Sequence, residues 1–202
     1  MEPEIRLEDL KEKLKIRLKP ERYEHTIGVY YTALCMAMKF EEDLSKTAVA
    51  ALLHDCAKNM SDKELIDICT EDHVEIFKEE LDMPDLLHQK AGAIVARKEF
   101  GIEDPYILNA IGCHTTGRFD MTLLDKIIFA ADYIEPGRYK QRHLPMIRKA
   151  AFTDIDYACF LILFDTIEYL NRAHIELHPD TALVYEEFAQ KMYSKGLKDG
   201  KS

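Results

Sequence analysis

The run Ala50-Ala51-Leu52-Leu53-His54-Asp55-Cys56 sets an imidazole and a carboxylate side by side in the most apolar stretch of the chain. A buried carboxylate without a partner costs on the order of several kcal/mol, and a cation gripped by both groups removes that penalty. Asp132 intrudes in the same way on Ile127-Ile128-Phe129-Ala130-Ala131. His25 lies in Arg22-Tyr23-Glu24-His25-Thr26, His88 follows Asp85-Leu86-Leu87, and His114 follows Ala110-Ile111-Gly112-Cys113. An isolated histidine in a helical protein is usually a hydrogen-bonded core or surface residue, and His73 and His143 keep that reading. The other four histidines and two aspartates form a mixed imidazole and carboxylate set. Such a set suits Fe, Mn, Ni, Zn or Mg better than Ca, and the lack of a CxxC pair argues against structural zinc.

Basic residues accompany these motifs. Arg22 precedes His25 by three residues and so shares its helix face. Lys58 follows Asp55 by three, close to it if the helix continues, and Arg138 follows the turn Glu135-Pro136-Gly137. A lone surface cation says little. Three of them beside three separate motifs point to phosphate contact. Thr115 and Thr116 either donate hydroxyls to a phosphate or cap a helix before Gly117.

The elements that must position these groups are helices. Leu7, Leu10, Leu14 and Leu18 repeat at three and four residues, giving an amphipathic helix stopped by Pro20. A second helix is expected over 21–39, with Ile27, Tyr30, Tyr31 and Leu34 inward. Residues 45–56 read as a buried central helix. Ser61 to Glu64 fits a capping box that opens a helix through Ile66 and Cys69. Further helices are expected at 85–100, 105–114, 122–134, 155–172 and 181–194, with Pro105 at a first helical position. No strand alternation persists, and no repeat or linker divides the chain. The expectation is one all-α domain over 1–202, with a metal-binding core at about 20–138 and C-terminal helices over 155–194 completing the pocket. Residues 195–202 read as a frayed tail.

The bulk composition narrows the function. A net charge of −10 repels nucleic-acid backbone, so a small phosphorylated ligand needs a local reversal of sign, which bound cations and a few basic residues supply. No stretch reaches the length of a membrane span, and the charged N-terminus lacks the apolar segment of an export signal. The five cysteines are an odd number, mostly in apolar runs, and read as reduced, buried thiols of a cytoplasmic protein.

The order His, His-Asp, Asp resembles the HD superfamily of metal-dependent phosphohydrolases, and His88 with His114 between them matches its two-metal branch. The wording Arg22 to Thr26, Leu52 to Lys58, His114 to Gly117 and Ala130 to Arg138 resembles the YqeK-type family. These are bacterial HD enzymes that cleave diadenosine tetraphosphate symmetrically. The match spans about residues 20 to 185; Gln89-Lys90 departs from it, standing where smaller residues are usual.

The resemblance implies an HD-domain helical bundle with a buried metal site between helices. His25, His54, Asp55 and Asp132 would hold the principal metal, iron by family, with Mn, Ni or Mg as alternatives. His88 and His114 would complete a second metal or touch the phosphates, and Asp55 could bridge two ions. Asp55, His88 and His114 are then the catalytic groups. Arg22, Lys58, His88, His114, Thr115 and Arg138 would bind substrate, joined by His178 from a late loop over 174–181 that closes on the nucleotide; Asp180 there either joins it or caps the last helix. The implied partner is a nucleotide, with no nucleic acid and no membrane, in a protein compatible with a homodimer. The alternatives are an HD nucleotidase or nucleoside triphosphohydrolase on mononucleotides, and a nucleotide sensor without turnover.

Overall fold

The computed structural model describes residues 6–194 and 196, so the expected frayed tail lies almost wholly outside the described residues. The described residues form eleven α-helices and no strand. They are α1 (Leu7–Arg17), α2 (Pro20–Phe40), α3 (Leu44–Leu53), α4 (Asp62–Glu71), α5 (Lys78–Asp82), α6 (His88–Phe100), α7 (Pro105–Gly112), α8 (Leu123–Ile134), α9 (Leu144–Ala151), α10 (Ile155–Ala173) and α11 (Pro179–Ser194). A single 3-10 turn, Pro84–Leu87, leads into α6.

The helix starts carry their own signals. Asp43 accepts from the amides of Ser45 and Lys46 to cap α3, and Ser61 with Glu64 closes the expected box on α4. Thr122 and Asp125 form a second box on α8, and Asp154 caps α10. α3 has no polar face: every residue from 47 to 53 is buried. It packs against α2, α7 and α8, while α10 spans α8, α9 and α11. The main apolar core therefore runs from Leu10 on α1 to Met192 on α11. A smaller cluster, with Leu65, Cys69 and Leu87, lies under α4 and the start of α6.

Several expectations change. Tyr31 points outward at 59% exposure, because the α2 stripe turns onto Val29, Tyr30, Ala33 and Met36 instead. Cys35, on that same outer face, is exposed, and the other four thiols are buried. α3 stops at Leu53 rather than running to 56, and residues 54–59 follow as a chain of turns, with Lys58 N–H donating to Asp55 O. α7 likewise ends at Gly112, two residues before His114. The helix expected at 85–100 begins at His88, because Pro84 leads a 3-10 turn. Pro179 opens α11, so Asp180 sits inside the helix rather than at its cap.

Candidate functional site

Five helices bring one end to the same place. His25 stands in the second turn of α2, His54 directly follows α3, and His88 is the first residue of α6. His114 lies two residues past α7, and Asp132 is two residues short of the end of α8. The six groups meet around Asp55. Its Oδ2 lies 3.4 Å from His54 Nε2 and 3.7 Å from His25 Nε2. Its Oδ1 lies 3.4 Å from His88 Nε2 and 3.7 Å from His114 Nε2. Asp132 Oδ1 joins the first group, 2.9 Å from His25 Nε2. One carboxylate thus presents an oxygen to each of two histidine sets.

The ring orientations follow from what each Nδ1 touches. His54 Nδ1 bonds Ala51 O at 2.7 Å, His114 Nδ1 bonds Ile111 O at 2.8 Å, and His88 Nδ1 bonds Asp85 O. A carbonyl only accepts, so each Nδ1 carries the hydrogen and each Nε2 presents a lone pair. His25 Nδ1 donates instead to the Glu135 carboxylate at 3.1 Å.

Two consequences bear on what the cluster could hold. His54 Nε2 is fully buried with no hydrogen-bond partner among the described residues. His88 Nε2 and His114 Nε2 stand 3.1 Å apart, and two lone pairs at that distance repel unless a cation lies against both. His25, His54 and Asp55 form one group able to hold a metal ion, and Asp55, His88 and His114 form another. The residues fit a divalent cation: nitrogen and oxygen donors, no thiolate, and rings fixed by carbonyls and a carboxylate.

Protons on the Nε2 atoms of His54, His114 and His25 hold the carboxylates in the same sense as a cation there would. Burial opposes ionisation of Asp55, but His54 and His114 outweigh it and hold the carboxyl well below the usual range. Burial likewise works against the Asp132 carboxylate, and the hydrogen bond from His25 together with Arg138 overrides it, so its pKa is lowered. Burial disfavours the His54 imidazolium, yet the adjacent Asp55 raises its pKa. His88 goes the other way, pushed down to about 3 by burial and by His114. It is a neutral imidazole at pH 7.

Beside the cluster opens a cleft of about 810 Å³, whose lining includes Lys19, Arg22, His25, Lys58, Glu135 and Arg138. Arg22 Nη1 pairs with Asp55 Oδ2 at 2.8 Å, and Arg138 Nη2 with Asp132 Oδ1 at 2.6 Å. Lys58 Nζ pairs with Asp85 at 2.6 Å and lies 3.3 Å from His88 Nδ1. Thr115 Oγ1 lies 3.3 Å from His88 Nε2, at the cluster, while Thr116 Oγ1 donates back to Gly117 O. His178 is not brought to the cluster. It is buried against Phe77 and stands 3.4 Å from Glu80, whose other oxygen takes Lys90 at 2.7 Å.

The HD domain family model matches residues 22–137. A protein of Halalkalibacterium halodurans named symmetrical bis(5'-nucleosyl)-tetraphosphatase is 39% identical over 181 residues, covering 86% of this chain and 92% of that protein. The chain belongs to the HD-domain family. A Bacillus subtilis protein of the same name is 37% identical over 172 residues, covering 85% of this chain and 91% of its own. A Clostridium acetobutylicum structure, described as a predicted HD superfamily hydrolase involved in NAD metabolism, superposes with a TM-score of 0.89 at 38% identity. It covers 92% of this chain and 98% of that one.

Sequence reasoning missed three residues in and beside this HD domain. Glu135 is 4% exposed, and a side chain at Gly28 would bring a Cβ to 2.6 Å from its Oε2, so that glycine makes room for the carboxylate. An acid three residues after Asp132 in an apolar helix was the available signal. Lys19 lines the cleft from the residue before Pro20. Gln89 is buried and ties down the turn after α7. Its Oε1 accepts from Thr115 N and Thr116 N at 3.0 and 3.2 Å, and its Nε2 donates to Thr116 Oγ1 at 3.0 Å. Gln89→Ala leaves two amides short of a partner, so urea unfolding should show a loss of about 2–4 kcal/mol. An unchanged midpoint would mean that water replaces the amide at no cost.

Proposed function

We propose that this protein hydrolyses bis(5'-nucleosyl) tetraphosphates in the middle of the phosphate chain, releasing two nucleoside diphosphates. The observation that carries the reading is the double-faced Asp55, with His25 and His54 on one oxygen and His88 and His114 on the other. The names of the relatives from Halalkalibacterium halodurans and Bacillus subtilis supply the substrate. His25, His54, Asp55 and Asp132 would hold one divalent ion, and Asp55, His88 and His114 a second; iron is the ion we propose. When bound, the ions supply Lewis acidity toward phosphate oxygens and a nucleophile at neutral pH.

The chain's own residues do the rest. Neutral His88 and hydrogen-bonded His114 keep their Nε2 lone pairs aimed at the reacting centre. Arg22 and Arg138 are each paired to a carboxylate of the cluster. Once those carboxylates bind cations, both guanidiniums are free to turn to phosphate oxygens. Lys19 and Lys58 add two more cations to the cleft, whose lining also carries Glu21, Glu24, Asp85 and Glu135. These four cations, together with the bound ions, oppose the acids of the cleft and fix which phosphorus meets the nucleophile.

The test is the identity of the first products from diadenosine tetraphosphate with iron or manganese present. Chromatography should show ADP alone at early times. ATP with AMP would place the cut off centre. Rapid release of phosphate from mononucleotides would make the protein a nucleotidase, and binding without turnover under any divalent ion would make it a sensor.

A further inference from the structure

We propose that Arg148, on α9, is a positioning residue for this site, holding the turn 134–138 that presents Glu135 and Arg138. The inference rests on the reading of Arg138 as a phosphate contact.

The last carbonyls of a helix have no partner within it. α8 ends at Ile134, and Pro136 has no N–H with which to continue the ladder. Arg148 fills the gap from a different helix. Its Nε donates to Ile134 O at 2.9 Å, and its Nη2 donates to Glu135 O at 2.8 Å and to Arg138 O at 2.9 Å. Capping α8 accounts for the first two bonds. The third lies beyond the helix and fixes the main chain of the residue whose guanidinium faces the cleft.

The same turn reaches the cluster twice. Glu135 Oε1 receives His25 Nδ1 at 3.1 Å, while Glu135 Oε2 takes the Gly137 amide at 2.5 Å and so folds the turn on itself. Arg138 Nε bonds Asp132 O at 2.9 Å. Arg148 itself is not among the residues lining the cleft. Its planar fork suits three carbonyls converging from one turn, which a lysine ammonium on a flexible stem does not match.

Arg148→Met keeps the aliphatic length and removes every donor. Exchange of the bonded amides of Gly137 and Arg138, within the stretch 137–139, should accelerate about tenfold or more, while the core of α10 keeps its protection. KM for diadenosine tetraphosphate should rise roughly tenfold in the wild-type background. In an Arg138→Ala background it should change by less than about twofold, because the contact being positioned is already gone. A merely structural loss of folded enzyme lowers apparent kcat and leaves KM alone. Unchanged exchange at 137–139, or equal KM factors in both backgrounds, would overturn the proposal. If the parent protein does not turn over the substrate, the exchange measurement still decides the positioning role. Should Arg148→Met fail to fold, Arg148→Lys carries the same two measurements, since it keeps the cation and lacks the fork.

Discussion

Asp55→Ala is expected to purify with neither metal position filled and to lose at least about a thousandfold in kcat. Both histidine groups share this one carboxylate, so its removal takes a ligand from each half at once. Lewis-acid stabilisation of the transition state amounts to several kcal/mol, and about 4 kcal/mol corresponds to that thousandfold. The helical signal should persist, because the apolar core from α1 to α11 does not run through the carboxylate. Elemental analysis beside a steady-state assay settles the outcome. Full metal occupancy in the variant would move the ligand set elsewhere, and full activity without metal would remove the two-ion reading altogether.

Chelation should act nearly as strongly and reversibly. A strong chelator, followed by its removal, should abolish hydrolysis, and adding back iron or manganese should restore it. The same ions should raise the melting temperature. A free ion at a hundred times its Kd adds about 2.7 kcal/mol, and each kcal/mol shifts a chain of this size by about 2–4 °C, so a rise of roughly 5–11 °C is expected. His54→Ala should abolish most of the rise, because it takes one of the nitrogens from the group that could hold the ion. A stripped protein that keeps full activity would contradict the reading.

Much of this was legible in the sequence because it rests on local periodicity. α2, α8 and α10 carry long apolar stripes, and Asp43, Ser61 and Thr122 mark helix starts with side chains that bond their own turns. α5 escaped detection because five residues are too few for a helical period to stand out, and α9 because, unlike the equally short α7 with its Asp104 cap, it has no side chain that caps its start. The early stops of α3 and α7 were hidden for a different reason. Neither end is marked by proline or by a glycine of positive φ, and the turn that aims the histidine breaks the ladder.

The His-Asp order exposed the cluster, since His54, Asp55 and Asp132 interrupt apolar runs and the motifs resemble a known family. Its support was not legible. Arg148 acts on Ile134 from fourteen residues away, and Gln89 on Thr115 from twenty-six. A single sequence does not record pairings at such separations. Tyr31 illustrates the opposite error, where an apolar type was read as buried although the packed stripe had rotated past it.

Three of the four histidines are aimed by a carbonyl three residues earlier in their own chain: Ala51 for His54, Asp85 for His88 and Ile111 for His114. Each takes its aim from its own turn, with side chains such as Gln89 steadying that turn. His25 is built otherwise, steered by the Glu135 side chain across 110 residues and by the space that Gly28 leaves for it. The aim of three rings is thus local, and that of the fourth depends on a distant side chain. On the proposed reading, Glu135 and Gly28 are where a descendant of this protein would most easily lose metal binding while keeping every histidine and aspartate of the motif.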